Sequence, residues 1–145
     1  MNHPPLFLGA DHAGFTLKEA IKTGLAKKGI AAVDLSPTFK EGDDYPAIGK
    51  KVAAHVAKNK GARGLIVCGT GVGVAIAANR VNGVRAVDGH SVEEVKRTRN
   101  DEDVNVLTLS GWKMKPTMAM KIIDAFLATP FSTAERHRRR VKQLH

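Results

Sequence analysis

Short apolar runs alternate with amphipathic segments along the whole of this 145-residue chain. The apolar runs are typical of buried strands and lie at residues 6–10, 30–35, 63–68, 84–87 and 104–109. Between them, apolar residues recur at helical spacing, which predicts helices over 46–59 and 91–100, among others. Strict alternation of strand and helix predicts a parallel sheet covered on both faces. We therefore expect an α/β protein with a three-layer (α/β/α), Rossmann-like architecture, a five-stranded parallel sheet and a C-terminal helical tail.

Polar side chains follow three of the predicted strands at the point where each strand ends. Asp11 and His12 follow the first strand, Cys68 ends the third, and His90 follows the fourth. In an open parallel sheet, ligands bind beyond the carboxyl ends of the strands, near a reversal of strand order. The sequence therefore predicts that three separate segments share one cleft.

A glycine-spaced turn joins the third strand to the next helix. Gly69, Gly71 and Gly73 allow close approach of a ligand to backbone amides at a helix N-terminus, which favours an anion. Cys68, the only cysteine, precedes this turn and is suited to act as a nucleophile or a base. The alternative is that Cys68 is a small buried hydrophobe. The spacing differs from that of the dinucleotide and P-loop motifs.

Composition and charge narrow the class of protein. The length fits one domain over residues 1–145, and the net charge of +9 indicates a polyanionic partner or a small anionic ligand. Basic residues in 18–28 and 50–60 are expected on solvated helix faces, and only 136–140 is dense enough to form a patch. Aromatic residues at 5% argue against a single-strand nucleic-acid binder. No membrane span, signal peptide or metal cluster is predicted, so we expect a cytoplasmic protein without a metal.

Several segments together resemble the type B ribose-5-phosphate isomerase family, which includes galactose-6-phosphate and allose-6-phosphate isomerases. The resemblance extends over nearly the whole chain, and the matching segments are residues 9–15 with Leu17 and Lys18, 44–46, 68–73, 76–79, 83–86, 105–107, and Arg136 with His137 and Arg140. The resemblance implies isomerisation of a phosphorylated aldose to a ketose through an enediolate, without a cofactor. Ribose 5-phosphate and ribulose 5-phosphate are the expected pair.

The resemblance also assigns roles to residues. Cys68 would be the base that moves a proton between C2 and C1, Thr70 would orient or activate the thiol, and Asp11 and His12 would contact the sugar oxygens and help open the ring. The residues implied to bind substrate are Gly69, Gly71, Val72, Gly73, Tyr45, Asn79, Asn100 and Glu102. Arg136 and Arg140, with His137 beside them, would hold the phosphate. A homodimer with shared active sites is implied, and pairing of two dimers into a tetramer stays open.

This chain departs from the family pattern at two places. Aligned without gaps, the His-Asn pair of the family falls on Asp101 and Glu102, and a shifted alignment places Arg99 and Asn100 there. The family histidine is absent either way, so ring opening needs another group, such as Asp101, His12 or His90, or takes place in solution. Trp112 occupies a position where many members have a phosphate-binding arginine.

Three other functions stay open at the level of sequence. The first is an isomerase of another phosphorylated aldose, such as a hexose 6-phosphate or a tetrose phosphate. The second is a non-catalytic binder of sugar phosphates, and the third is a nucleic-acid binder that acts through its basic tail. Cys68 argues against a pure binder, which needs no thiol at that place. We expect neither a nucleic-acid nor a membrane partner.

Overall fold

Within the described residues, the alternation of apolar runs and amphipathic segments forms five strands and six helices. The computed structural model describes residues 3–145. In chain order the elements are β1 (Leu6–Ala10), α1 (Phe15–Lys27), β2 (Val33–Asp34), α2 (Tyr45–Lys58), β3 (Arg63–Cys68), α3 (Val72–Asn79), β4 (Ala86–Asp88), α4 (Val92–Glu102), β5 (Val106–Ser110), α5 (Pro116–Ala128) and α6 (Glu135–Lys142). No helix within residues 3–145 is both long and apolar enough to cross a membrane.

The strands form one parallel sheet with the order β2-β1-β3-β5-β4, which confirms the predicted fold class. The chain moves from β1 to one side and then returns to build the other side from β3. The strand order therefore reverses between β1 and β3, where their carboxyl ends leave a crevice. Ala10 pairs with Val67 in this register, so Asp11 and Cys68 come next on neighbouring strands.

Each face of the sheet buries its own apolar cluster. The strand side chains alternate, so Leu65 and Val67 pack with α1, α4 and α5, whereas Ile66 and Cys68 pack with α2 and α3. Both faces are thus covered, as near-continuous apolar strands require. The thiol of Cys68 consequently points to the layer formed by α2 and α3.

Four elements have an end two or three residues from the sequence-based expectation, and two of them, β4 and β5, begin two residues later than expected, at Ala86 and Val106. The second strand is only Val33–Asp34 rather than residues 30–35, because it is an edge strand and Ile30 packs into the cluster beneath α1 instead. The polar helix α4 extends beyond residue 100 to Glu102. Asp103 then adopts a left-handed conformation, with φ of 49°, that ends the helix.

The charge pattern predicts a solvated helix face for Lys18, but its side chain is fully buried in the structure. Its Nζ atom lies 2.7 Å from Oδ2 of Asp34 and donates to the carbonyl of Ser36 at 2.8 Å. The hydroxyl of Ser36 in turn accepts a hydrogen bond from the amide of Ala10 at 2.8 Å. Because Ala10 precedes Asp11, this buried chain of contacts holds the loop after β2 against the end of β1.

Candidate active site

The thiol of Cys68 lies at the carboxyl end of β3, beside the reversal of strand order. The residue is 4% exposed, and its Sγ atom accepts a hydrogen bond from the amide of Gly71 at 3.1 Å. Gly71 has a φ of 83°, a left-handed conformation that residues with a Cβ atom rarely adopt. This turn directs a backbone amide at the thiol and starts α3.

The glycine-rich loop, residues 69–73, is held to β5 through its carbonyl groups. Thr108 Oγ1 donates to the carbonyl of Gly71 at 2.6 Å, and Ser110 Oγ donates to that of Gly69 at 2.7 Å. The amides of Gly69 and Thr70 have no hydrogen-bond partner within residues 3–145. Because the carbonyls face β5, these amides are available to an anion at the end of the sheet.

Thr70 and Val72 border the open side of this loop. Thr70 Oγ1 accepts a hydrogen bond at 3.1 Å from the amide of Val72, the first residue of α3. The hydroxyl therefore serves the helix in this structure, and its action on the thiol of Cys68 stays a prediction. Val72 is 50% exposed.

Asp11 and His12 lie at the end of the adjacent strand β1. The amide of Asp11 donates to the carbonyl of Val67 at 3.2 Å, which ties the two strand ends together. Burial raises the pKa of Asp11 above its usual value, although a hydrogen bond from the amide of Gly14 opposes this shift. His12 is exposed, with Nδ1 3.1 Å from Oδ1 of Asp43, and this bond raises the pKa of His12. The structure thus brings Asp11, His12 and Cys68 to one edge of the sheet.

Tyr45 reaches the glycine-rich loop, whereas Asn79 does not. The ring of Tyr45 packs on Gly73 so closely that a Cβ atom there would lie 2.5 Å from it. Asn79 is at the far end of α3, where its Oδ1 accepts from the amide of Ala86 at 2.8 Å and its Nδ2 donates to the Ala86 carbonyl at 2.9 Å. Both polar groups of Asn79 therefore bind backbone in this structure, and its contact with substrate stays a prediction.

Asn100, Asp101 and Glu102 form a second group at the C-terminal end of α4. This helix runs antiparallel to the strands, and its 11 residues span about 16 Å. Its last turn therefore lies near the amino ends of the strands, opposite Cys68. A single chain does not bring these three residues to the glycine-rich loop.

The predicted phosphate ligands on α6 lie beside that second group. Asn100, Asp101, Arg136 and His137 line one cavity of about 580 Å³, which we call the α4–α6 groove. His137 Nε2 is 3.6 Å from Oδ1 of Asp101, and its Nδ1 is buried without a hydrogen-bond partner among residues 3–145. Arg140 is exposed one helical turn after Arg136.

Arg99 has a structural role at the end of α4. It is 4% exposed, its Nη1 donates to the carbonyl of Val104 at 2.7 Å, and it pairs with Asp103 at 2.9 Å. These bonds hold Arg99 inside the protein, so it does not replace a histidine that acts on substrate. Asp101, by contrast, is an acid–base group on the wall of the α4–α6 groove.

Two residues near the glycine-rich loop were not assigned a role from the sequence. Asp88, the last residue of β4, lies against Gly71, where an added Cβ atom would overlap its carboxylate. Trp112 covers Gly69 with its indole ring and is 71% exposed. The sequence offered one signal for Asp88, an acidic residue at the carboxyl end of a strand. Residues 3–145 contain no group of three or more His, Cys, Asp or Glu side chains placed to hold a metal ion.

Comparison with known proteins gives consistent results. The model of a family described as Ribose/Galactose Isomerase matches residues 6–144. The ribose-5-phosphate isomerase B of Escherichia coli is 35% identical over 136 residues, which are 94% of this chain and 91% of that protein.

Solved structures resemble the whole fold. A ribose 5-phosphate isomerase of Thermotoga maritima superposes with a TM-score of 0.93 at 37% identity, covering 99% of this chain and 98% of that one. The ribose-5-phosphate isomerase B of Mycoplasma genitalium, with bound ribulose 5-phosphate, has a TM-score of 0.90 at 39% identity, covering 97% and 93% of the two chains.

Proposed function

Because this chain belongs to the ribose/galactose isomerase family, we propose that it interconverts ribose 5-phosphate and ribulose 5-phosphate. The observation that carries the proposal is the thiol of Cys68, which faces a backbone amide at the end of a parallel sheet. The relatives named above are all called ribose 5-phosphate isomerases, and the structure of one of them contains bound ribulose 5-phosphate. The family match over residues 6–144 supports a single isomerase domain. A charged sugar phosphate does not cross membranes unaided, which supports a cytoplasmic location.

In this proposal Cys68 is the base that transfers the proton. Its thiolate removes the proton from C2 of the open aldose, the electron pair forms the C1–C2 double bond, and negative charge develops on the sugar oxygens. The amides of Gly69 and Thr70 stabilise that charge, as an oxyanion hole does. The thiol returns its proton to C1, while the C2 hydroxyl gives up its proton to become the carbonyl and the oxygen on C1 takes one up. Only protons move, so the reaction needs no redox cofactor.

Asp11 and His12 contact the sugar oxygens in this scheme. Burial raises the pKa of Asp11, so its carboxylate is more basic than that of an exposed aspartate and suits a hydrogen bond with a sugar hydroxyl. Asp43 favours the imidazolium form of His12, which suits contact with a developing oxyanion. Both residues follow β1, at the crevice where the strand order reverses.

We propose that a homodimer completes the site. The predicted site includes Asp101, Arg136 and Arg140. Within one chain, however, the α4–α6 groove and Cys68 lie at opposite ends of α4. In the dimer, the α4–α6 groove of the second copy packs against the glycine-rich loop of the first, so that the groove and Cys68 form one site. Arg136 and Arg140 then bind the phosphate, while Asp101 and Asn100 face the sugar.

Trp112 favours one second candidate, an isomerase of a hexose 6-phosphate. Its exposed indole covers Gly69 and lines a cavity of about 720 Å³ that extends beyond the loop. The family description includes galactose as well as ribose. Relative kcat/KM values for ribose 5-phosphate, galactose 6-phosphate and allose 6-phosphate decide between the two, and a preference for either hexose overturns the first candidate.

The primary test is turnover of ribose 5-phosphate by the wild type and by Cys68→Ala, with EDTA present. We expect the wild type to form ribulose 5-phosphate and Cys68→Ala to form none, while calorimetry shows that both bind ribulose 5-phosphate. Binding without turnover by the wild type identifies a sugar-phosphate receptor instead. Loss of binding and turnover together in Cys68→Ala makes the thiol structural.

A further inference from the structure

The end of β4 carries a carboxylate–imidazole pair beside the glycine-rich loop. Oδ2 of Asp88 lies 3.0 Å from Nε2 of His90. The Asp88 side chain is 13% exposed and that of His90 is 65% exposed, so the imidazole is the partner that faces solvent. On its other side the carboxylate abuts Gly71, where an added Cβ atom would overlap Oδ1. The pair is therefore fixed to the loop and open at the imidazole.

A cavity extends from this pair to the residues that follow Cys68. Its volume is about 720 Å³, and its wall includes Asp88, His90, Thr70 and Trp112. A cavity of this size lies within the usual range of about 300–1,000 Å³ for small-molecule sites. His90 is the histidine on its wall, whereas His12, which follows β1, is bonded to Asp43.

The charges of the pair suit proton donation. Burial raises the pKa of Asp88, and the charge of His90 opposes that shift. An unpaired carboxylate beside the loop amides would repel an enediolate, and a protonated His90 cancels that charge. Because Nε2 of His90 faces Asp88, its Nδ1 is the nitrogen left to exchange a proton with a molecule in the cavity.

The reaction proposed above begins from the open aldehyde, whereas ribose 5-phosphate in solution is a furanose. Opening breaks the bond between C1 and the ring oxygen O4, and O4 takes a proton. The hydroxyl on C1 loses its proton as the C1 carbonyl forms. Cys68 serves the later proton transfer at C2, so ring opening requires a different acid–base group.

We propose that His90, oriented by Asp88, is the acid that opens the sugar ring; this rests on the proposed function. Nδ1 of the protonated His90 gives its proton to O4 as the C1–O4 electron pair moves to O4. The proton of the C1 hydroxyl passes to water in the cavity, and water later reprotonates His90. His90 is a catalytic residue in this scheme, and Asp88 is a positioning residue because it acts through the imidazole.

Two reactions separate ring opening from proton transfer. Ribulose 5-phosphate is acyclic because its C5 hydroxyl is esterified, so exchange of its C1 proton in D₂O needs Cys68 and no ring opening. Consumption of ribose 5-phosphate needs both steps. We expect His90→Gln to lower ribose 5-phosphate turnover by about 100-fold, a usual general-acid contribution, with unchanged exchange into ribulose 5-phosphate.

A second readout is the dependence on enzyme concentration. The wild-type rate is expected to stay proportional to enzyme, whereas the rate with His90→Gln levels off where spontaneous opening limits the supply of aldehyde. Asp88→Asn keeps His90 but loses its charged partner, so a smaller loss of the same kind is expected. His55→Gln, on α2, is the matched control and leaves both reactions unchanged.

Each outcome decides the proposal. Wild-type turnover by His90→Gln overturns it, and so does an equal loss of turnover and exchange, which assigns His90 to the proton transfer or to the fold. If His90→Gln does not fold, as its circular dichroism melt shows, Asp88→Asn gives the decision by the same two reactions. Failure of the wild type to exchange the C1 proton is a different result, because it overturns the proposed isomerase function itself.

Discussion

The thiol of Cys68 and the backbone amide of Gly71 are joined by a hydrogen bond of 3.1 Å. Gly71 makes this bond from a left-handed conformation with φ of 83°, and its carbonyl is held by Thr108 at 2.6 Å. Asp88 occupies the space where a side chain at position 71 would project. The geometry at the thiol thus depends on the absence of a Cβ atom at this position.

Gly71→Ala is expected to destabilise the protein and abolish turnover. The left-handed conformation costs a residue with a Cβ atom about 1–2 kcal/mol, and overlap with Asp88 adds to that. Gly83→Ala is the matched control, because Gly83 has a similar φ of 86° but open space around it. Urea unfolding measures both. Equal losses of stability in the two variants contradict the proposed crowding at Gly71.

Lys18→Met is expected to lower the free energy of unfolding by about 3 kcal/mol, because it leaves the buried carboxylate of Asp34 without its main partner. Lys22 binds the same Asp34 at 3.0 Å, but its side chain is 46% exposed. Lys22→Met should therefore cost less than about 1 kcal/mol. Chemical unfolding of both variants measures the difference, and equal effects exclude a special role of the buried lysine.

The ion pair between His12 and Asp43 is expected to depend on pH. Asp43 raises the pKa of His12 above its ordinary 6.5, so the pair stabilises the protein fully below that pH. Its contribution is lost as the pH rises through the higher folded-state pKa. The NMR titration of His12 should show a lower midpoint in Asp43→Asn than in the wild type. Identical midpoints contradict the contact.

Complementation tests whether the two half-sites meet between subunits. Cys68→Ala lacks the proposed base and Arg136→Ala/Arg140→Ala lacks the proposed phosphate ligands, so each alone should be inactive. Mixed after unfolding and refolding, they should recover about a quarter of wild-type sites, since half of the dimers are mixed and carry one intact site. A mixture of Cys68→Ala with Cys68→Ser has no intact site and serves as the control. No recovery in the first mixture places both half-sites within one subunit.

The sequence predicted most of the fold and the centre of the site, because both depend on local patterns. Apolar runs and helical spacing located the strands and helices, and the ends missed by two or three residues are at the edge strand β2, at the starts of β4 and β5 and in the last turn of α4. Cys68 followed by Gly69, Gly71 and Gly73 marked the loop at the carboxyl edge of the sheet.

Tertiary packing decided which polar residues are free to act. Asn79 is bound to the backbone of Ala86 and Lys18 is buried against Asp34, although neither spacing nor charge distinguishes them from exposed residues. Asp88 reaches Gly71 because β4 and the loop meet across β5, which is a contact between distant segments.

By itself, the sequence determined the alternating α/β fold, the strand-end position of Cys68 and the amides around it, because hydrophobic period and glycine spacing act over a few residues. Only the tertiary structure decided that the α4–α6 groove lies at the other end of α4 from Cys68 and that Asp88 abuts the loop. The physical reason is that strand order and the direction of each helix set distances between remote residues, and no local pattern encodes them.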